Sequence, residues 1–200
     1  MEYGIQRRSI YLVPPNSEDL PWLFDLFDTP EIYDMFGFNR PSKTRIMRAY
    51  RGGDLVVGII RFAKTKKRLG FGIVFPPAGN FDFWEFAYAI PDPLDRDAFS
   101  ALNTCDAMAH YMLEHLRVPA VGWRTREDNR AADAVVRRLG YEPFETMFVD
   151  GHNYTFYRMV LDGWLKRKAR LMRGEETHPS GTGEVFVTLP AFPFDPIDPR

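Results

Sequence analysis

The sequence predicts an α/β fold, a mixed α+β sheet with helices packed on both faces. Three observations carry that reading. The apolar period switches repeatedly between two and 3.6 residues. Three strand-like stretches run in succession and are followed by helix, strand, helix and two further strands. The chain has 200 residues, 45% hydrophobic, 15% aromatic and 26% charged, enough to fill one substantial core. These figures exclude wholesale disorder, a collagen helix and a disulfide scaffold.

The first element is a strand over Ser9 to Val13, ended by Pro14 and Pro15. Asn16 or Ser17 then caps a helix whose apolar face is Leu20, Leu23, Phe24 and Phe27. A second short helix starts at Ser42 and stops before Gly52 and Gly53. From Asp54 the period becomes two. Leu55 to Ala63 and Leu69 to Phe75 form a hairpin around the charged turn Lys64 to Arg68, and Phe81 to Ile90 is the third strand, closed by Pro91-Asp92-Pro93. Ala98, Leu102, Cys105, Ala109, Met112 and Leu116 then trace one apolar stripe on a long helix. Pro119 to Arg124 is a strand. Asp128 or Asn129 caps the next helix, which turns Ala132, Val135, Val136 and Leu139 inward and ends at Gly140. Strands over 144–150 and 154–161 flank the turn at Asp150-Gly151, and a basic helix runs through Trp164, Leu165, Lys168, Leu171 and Met172. Composition changes near Arg173, so residues 1–173 read as the domain and 174–200 as an extended, proline-rich acidic tail.

The charge balance, 26 basic against 27 acidic residues, provides no global field for nucleic acid. One cysteine, Cys105, forms no internal disulfide, and no apolar run is long enough to span a bilayer. An intracellular, cytoplasmic protein without membrane contact is the expectation. No two of the four histidines share a ligand spacing with Cys105 or with a carboxylate pair, so no metal site is expected. Cys105 falls in the apolar stripe and reads as a core residue. His110 and His115 read as surface or interface residues, and the basic clusters 64–68 and 166–170 as solvated faces, the second alternatively as a site for the chain's own acidic tail.

Local sequence makes the element order more specific. Asn129-Arg130-Ala131-Ala132 followed by Leu139-Gly140-Tyr141 resembles a signature of the GCN5-related N-acetyltransferase (GNAT) family. Asp150-Gly151, Tyr154, Tyr157-Arg158-Met159 and Trp164 are similar to the ending typical of that family's ribosomal-protein-acetyltransferase branch. The resemblance spans about residues 9–171. It implies a GNAT-type acyl-CoA N-acyltransferase fold with a C-terminal extension, acetyl-CoA as cofactor and an amine as substrate.

In that family the pyrophosphate of acetyl-CoA rests on the backbone where the long helix begins, because a helix N-terminus offers unpaired N–H donors to an anion. The matching loop here is Arg96-Asp97-Ala98-Phe99-Ser100-Ala101. Arg96 and Ala101 agree with the family pattern. Phe99 replaces its central glycine and Asp97 another residue that is often glycine. A phenyl group narrows the cradle. A carboxylate opposes each phosphate by about 3 kcal/mol at roughly 4–6 Å and an effective dielectric near 20.

The resemblance also assigns roles outside the loop. It makes Glu85 the general base that takes a proton from the amine, where the residues alone equally allow a strand carboxylate paired with a basic neighbour; it also sets a backbone N–H near Ile90 against the thioester carbonyl and puts Asn129 and Ala132 along the pantetheine arm. A tyrosine that many members use as general acid is replaced by Val136, leaving Tyr157, Tyr154 or Tyr88 as substitutes.

The tail holds five acids (Glu175, Glu176, Glu184, Asp195 and Asp198) against Arg200 alone, and its segment 184–189 is strand-like. Through residues 184–200 it is expected to add to a sheet edge, its own or that of a protein partner or second copy. Two functions follow. One is an acetyl-CoA-dependent N-acetyltransferase acting on a protein N-terminus, a lysine or a small amine. The other is a catalytically silent GNAT-fold subunit that docks through its tail.

Overall fold

The computed structural model describes residues 5–7, 10–32, 43–52, 56–62, 64–75, 77, 82–96, 98–175 and 187–188. In chain order its main elements are β1 (Ile5–Arg7), β2 (Ile10–Val13), α1 (Asp19–Leu26), α2 (Lys43–Gly52), β3 (Val56–Phe62), β4 (Arg68–Phe75), β5 (Trp84–Ala89), α3 (Ala98–His110), β6 (Ala120–Arg126), α4 (Arg130–Arg138), β7 (Glu142–Val149), β8 (His152–Val160), α5 (Leu161–Met172) and β9 (Val187–Thr188). The strands form one sheet in the order β7-β8-β6-β5-β4-β3-β2-β1-β9. β5 and β6 pair in parallel and every other neighbouring pair is antiparallel. This is the mixed α/β architecture expected from the sequence.

Alternation along the strands divides the core into two layers. On one face α1, Ile32 and α2 bring Leu23, Phe24, Phe27 and Ile46 onto Val57, Ile59, Phe71, Ile73 and Ala89. On the other, α3, α4 and α5 bring Leu102, Cys105, Met112, Val136 and Trp164 onto Ile10, Leu12, Ile60, Val74, Phe86 and Trp123. Burying each such large side chain contributes about 1.5–3 kcal/mol, so either layer is substantial. Asn16 closes the entry to α1: its Oδ1 accepts from the backbone N–H of Glu18 (2.9 Å) and of Asp19 (3.0 Å). Asp150 (φ 49°) and Gly151 (φ 83°) lie between β7 and β8, where a two-residue hairpin turn needs positive φ.

Several elements differ from expectation. β1 was not anticipated; its three residues carry no alternation that reads as a strand. The long helix is not striped: every residue from Ser100 to Leu113 is buried, with the sheet on one side and α5 on another. It ends in a single π turn, Tyr111–His115, in which the Leu116 N–H reaches the Tyr111 carbonyl at 2.9 Å. Glu114, in that turn, accepts from His110 Nδ1 (2.8 Å), Trp164 Nε1 and Lys168 Nζ (2.6 Å). Burial pushes the Glu114 carboxyl up, but these donors outweigh it and hold the group below its ordinary value.

His110 is therefore a buried residue (6% exposed), contrary to the surface reading. The basic cluster at 166–170 is likewise not a uniformly solvated face. Arg167 is 3% exposed and grips Asp106 with Nε (2.8 Å) and Nη2 (3.1 Å), and its Nη1 reaches the Arg138 carbonyl (3.3 Å). Cys105 lies in the core, as its place in the stripe suggested.

Within the tail, Val187 and Thr188 pair with Gln6 and Ile5 of β1. The described part of the segment thus adds to the chain's own sheet, at the edge away from β7. The rest of 184–200 lies outside the described residues.

The buried Asp106–Arg167 pair makes a direct prediction. Arg167→Met leaves a buried carboxylate without its cation and lowers unfolding free energy by about 3–5 kcal/mol in a urea titration. Replacing both partners by apolar residues, Asp106→Leu with Arg167→Met, recovers most of that loss.

Candidate active site

β5 and β6 share only two rungs, Trp84 with Val121 and Glu85 with Gly122. Beyond them β5 stays paired with β4 as far as Ala89, and β6 stays paired with β8 along its whole length to Arg126. The two strands diverge, and the sheet splits. Gly122 makes the closed end possible: a Cβ there would meet the Phe83 ring at 2.0 Å, so only glycine lets that ring lie across β6.

A cavity of about 570 Å³ fills the split. Strand alternation gives it two sides. Tyr88, Trp123 and Leu102, with Ala131, Ala132, Ala134 and Val135, line it on the face of α3 and α4. Glu85, Ala87, Ala89 and Arg124 belong to the opposite face of the sheet. The cavity thus meets residues of both faces of the sheet where β5 and β6 part. Arg96, Arg126 and Arg138 complete a lining with four arginines and one carboxylate.

That carboxylate, Glu85, lies at the closed end, on the last rung. Arg124 Nε stands 3.0 Å from its Oε1, and the two side chains are 16% and 20% exposed. The guanidinium of Arg124 also lies over the rings of Tyr154 (5.6 Å) and Phe156 (5.7 Å). Burial pushes the Glu85 carboxyl above its ordinary value, and the Arg124 charge opposes that rise.

Of the loop expected to cradle phosphate, Arg96 and Ala101 line the cavity, and Ala98, Phe99 and Ser100 form the first turn of α3. Arg96 turns back onto the end of β5: its Nε donates to the Ile90 carbonyl and its Nη2 to the Pro91 carbonyl, both at 2.7 Å. Ser100 is buried, and its carbonyl accepts from Thr104 Oγ1 (2.8 Å). Asp97 and the side chains of Ala98 and Phe99 lie outside the described residues. Ile90 lines the cavity, as do Asn129 and Ala132. The Asn129 Oδ1 accepts from the Ala132 N–H (3.1 Å), so the residue caps α4 and faces the cleft together.

Two of the three expected tyrosines stand elsewhere. Neither Tyr154 nor Tyr157 is among the residues lining the cavity. Tyr154 packs with Phe83 and Phe156. The Tyr157 hydroxyl donates to Asp133 and accepts from Arg137 Nη2 (2.8 Å), fastening α4 to β8. Tyr88 does line the cavity, edge-on to Trp123 (5.5 Å), and burial pushes its phenol well up. Sequence reasoning missed Arg124, Arg126 and Arg138. Their spacing marks strand and helix positions but says nothing of the cleft they share. Among the described residues no group of three His, Cys, Asp or Glu side chains could hold a metal, and no helix is long and apolar enough to cross a membrane.

The model of the acetyltransferase (GNAT) domain family matches residues 9–142. Among curated proteins, none matches the sequence. Similar solved structures include the spermidine N-acetyltransferase of Vibrio cholerae in complex with CoA and spermine (TM-score 0.68, 14% identity, 80% of this chain and 99% of that one). A GCN5-related N-acetyltransferase of Brucella melitensis gives 0.64 at 14% identity, over 84% and 83%. The aminoglycoside acetyltransferase AAC(6')-Ib in complex with coenzyme A gives 0.65 at 12% identity, over 79% and 98%.

The bonding of Tyr157 yields a test of its role. Tyr157→Phe removes the hydroxyl between Asp133 and Arg137 and lowers unfolding free energy by about 1–2 kcal/mol, read by denaturant titration. A variant as stable as the parent would contradict the fastening role.

Proposed function

We propose that this chain, which belongs to the GNAT acetyltransferase family, transfers an acetyl group from acetyl-CoA to a primary amine inside the split between β5 and β6. One observation carries the reading: the cavity in the split is lined from both faces of the sheet, with a half-buried carboxylate, Glu85, at its closed end. Several of the described lining residues suit the donor, although Asp97 and Phe99 in the loop before and at the start of α3 oppose it. An apolar wall of Ala131, Ala132 and Ala134 accepts a thin, flexible arm, and Arg96 and Arg138 supply positive charge for phosphates. The first turn of α3 adds backbone donors and the positive end of its dipole. The coenzyme A complexes of the Vibrio cholerae and AAC(6')-Ib enzymes support the same use of the fold.

When bound, acetyl-CoA supplies an acetyl group activated as a thioester. The chain positions the amine against Glu85, which takes one proton from the ammonium directly or through a water. A backbone N–H near Ile90 hydrogen-bonds the carbonyl oxygen as charge develops there. A C–N bond forms, the C–S bond breaks, and the second proton lost by nitrogen goes to the departing sulfur. The products are the acetylated amine, CoA thiol and the proton held by the base. Holding both reactants in one cavity supplies much of the acceleration.

Three residues favour the catalytically silent alternative: Asp97 and Phe99, which stand where the family's loop carries glycine, and Val136. Val136 is fully buried in the core, so its position contributes no hydroxyl to the sulfur. Calorimetric titration of acetyl-CoA separates the two readings: a Kd of about 1–100 μM is expected for an enzyme, and no heat at about 1 mM would leave the silent one. Glu85→Gln is expected to lower kcat by about 10²–10⁴-fold. A base works only when deprotonated, and burial sets the Glu85 carboxyl above its ordinary value. The parent rate should therefore fall as pH drops through that raised value, and the variant should lose this acidic limb. A limb that persists in Glu85→Gln would assign the base elsewhere.

A further inference from the structure

We propose that the acceptor is a primary amine carrying a carboxylate a few bonds from its nitrogen, with the carboxylate bound by Arg124 and the nitrogen facing Glu85. The proposal rests on the acetyl-transfer reading above and names the acceptor class of that site.

Charge is the first argument. A polycation needs carboxylates that are not already satisfied. Among the described residues the cavity is lined by four arginines and one carboxylate; that carboxylate is paired with Arg124 at 3.0 Å, and Arg126 is paired with Asp128 at 2.6 Å. On the face where the acceptor would enter, the neighbouring strand β8 adds another arginine, Arg158, 3.8 Å from Asp82 and over the ring of Phe144 (4.8 Å). With Arg96 and Arg138 turned to the phosphates, the charged group that meets the acceptor is the Arg124–Glu85 pair, and an acceptor carrying a carboxylate can take the place of Glu85 on the guanidinium. An acceptor like the spermine bound by the Vibrio cholerae enzyme would meet like charge.

Geometry is the second. The Arg124 guanidinium lies over Tyr154 and Phe156, so its planar fork is held in one orientation on a rigid aromatic bed. It points at the closed end, where Glu85 waits for the nitrogen. An amine on Glu85 and a carboxylate on Arg124 must then be close neighbours in one molecule, as in an amino acid.

The pair also couples binding to chemistry. An incoming carboxylate competes with Glu85 for the Arg124 fork. Once it wins, Glu85 keeps its burial and loses its cation, which raises its proton affinity beside the ammonium. An amine without a carboxylate leaves Glu85 in the ion pair, where the Arg124 charge holds down part of the rise that burial gives it. The acceptor thereby prepares its own base.

The full-length protein tests this with matched acceptors: leucine against leucinamide, an aspartyl peptide amide against an alanyl peptide amide, and spermidine. Acetyl transfer and, independently, calorimetric binding in the presence of CoA are measured for the parent, Arg124→Gln and Arg124→Lys. Thermal unfolding checks that each variant folds. In the parent, the carboxylate-bearing member of a pair should have a kcat/KM about 30-fold or more above its partner. Arg124→Gln should bring that ratio within about threefold, Arg124→Lys should leave it between, and binding should follow the same order. Preference in the leucine pair alone assigns a free amino acid, and preference in the peptide pair alone assigns an acidic N-terminus; either supports the proposal. A parent enzyme that acetylates spermidine or leucinamide best overturns the proposal and leaves the transferase reading intact, and the parent comparison needs no variant. A ratio unchanged in Arg124→Gln does the same. A protein that binds no acetyl-CoA and acetylates no acceptor overturns both.

Discussion

Two rungs of parallel pairing between β5 and β6 are the constraint on which the site depends. With none, the sheet would fall into two halves; with a full ladder, there would be no split and no cavity. The divergence has a physical source on the face of α3, where aromatic bulk stands between the strands. Trp123 lies edge-on to Phe86 (5.8 Å), Tyr88 (5.5 Å) and Tyr141 (6.1 Å). Meanwhile β6 satisfies its backbone on the other side with seven residue pairs to β8, so parting from β5 costs it one ladder rather than two.

The elements around the cavity are held by charge inside the core as well as by packing. Asp19, at the start of α1, is 1% exposed and paired with Arg61 of β3. Asp106 and Arg167 join α3 to α5, and Glu114 adds Trp164 and Lys168 to the same joint. Buried pairs of this kind gain little net stability over well-packed apolar groups, yet a misaligned helix would leave a charge unsatisfied. They act here as registration marks for the helices on both sides of the sheet. The Glu85–Arg124 pair has the same chemistry but faces a cavity, where a ligand can exchange with one partner.

The elements with strong local signals were legible: the alternating strands from Val56 to Phe75, the Asn129 cap and Gly140 around α4, and the hairpin turn at Asp150-Gly151. Of the residues that the resemblance named, Glu85, Ile90, Arg96, Ala101, Asn129 and Ala132 line the cavity of the candidate site. Tyr157 shows the limit. Its strand position and residue type fit an acid, but its hydroxyl is bound by Asp133 and Arg137 across the α4–β8 contact. His110 and Arg167 looked like surface residues because polarity alone suggests exposure, and their partners Glu114 and Asp106 meet them through a π turn and helix packing.

The sequence by itself determined the mixed fold and the order of its main elements, because hydrophobic period, caps and turn residues act over a few positions. Strand alternation also determined that Glu85 shares a face with Ala87 and Ala89; that this face meets a cleft was implied by the family resemblance. The tertiary structure alone decided where the sheet splits, that Arg124 faces Glu85, and that four arginines share one cavity. Those relations depend on which strands pair and how far they stay paired, and residues remote in the chain carry no local record of meeting.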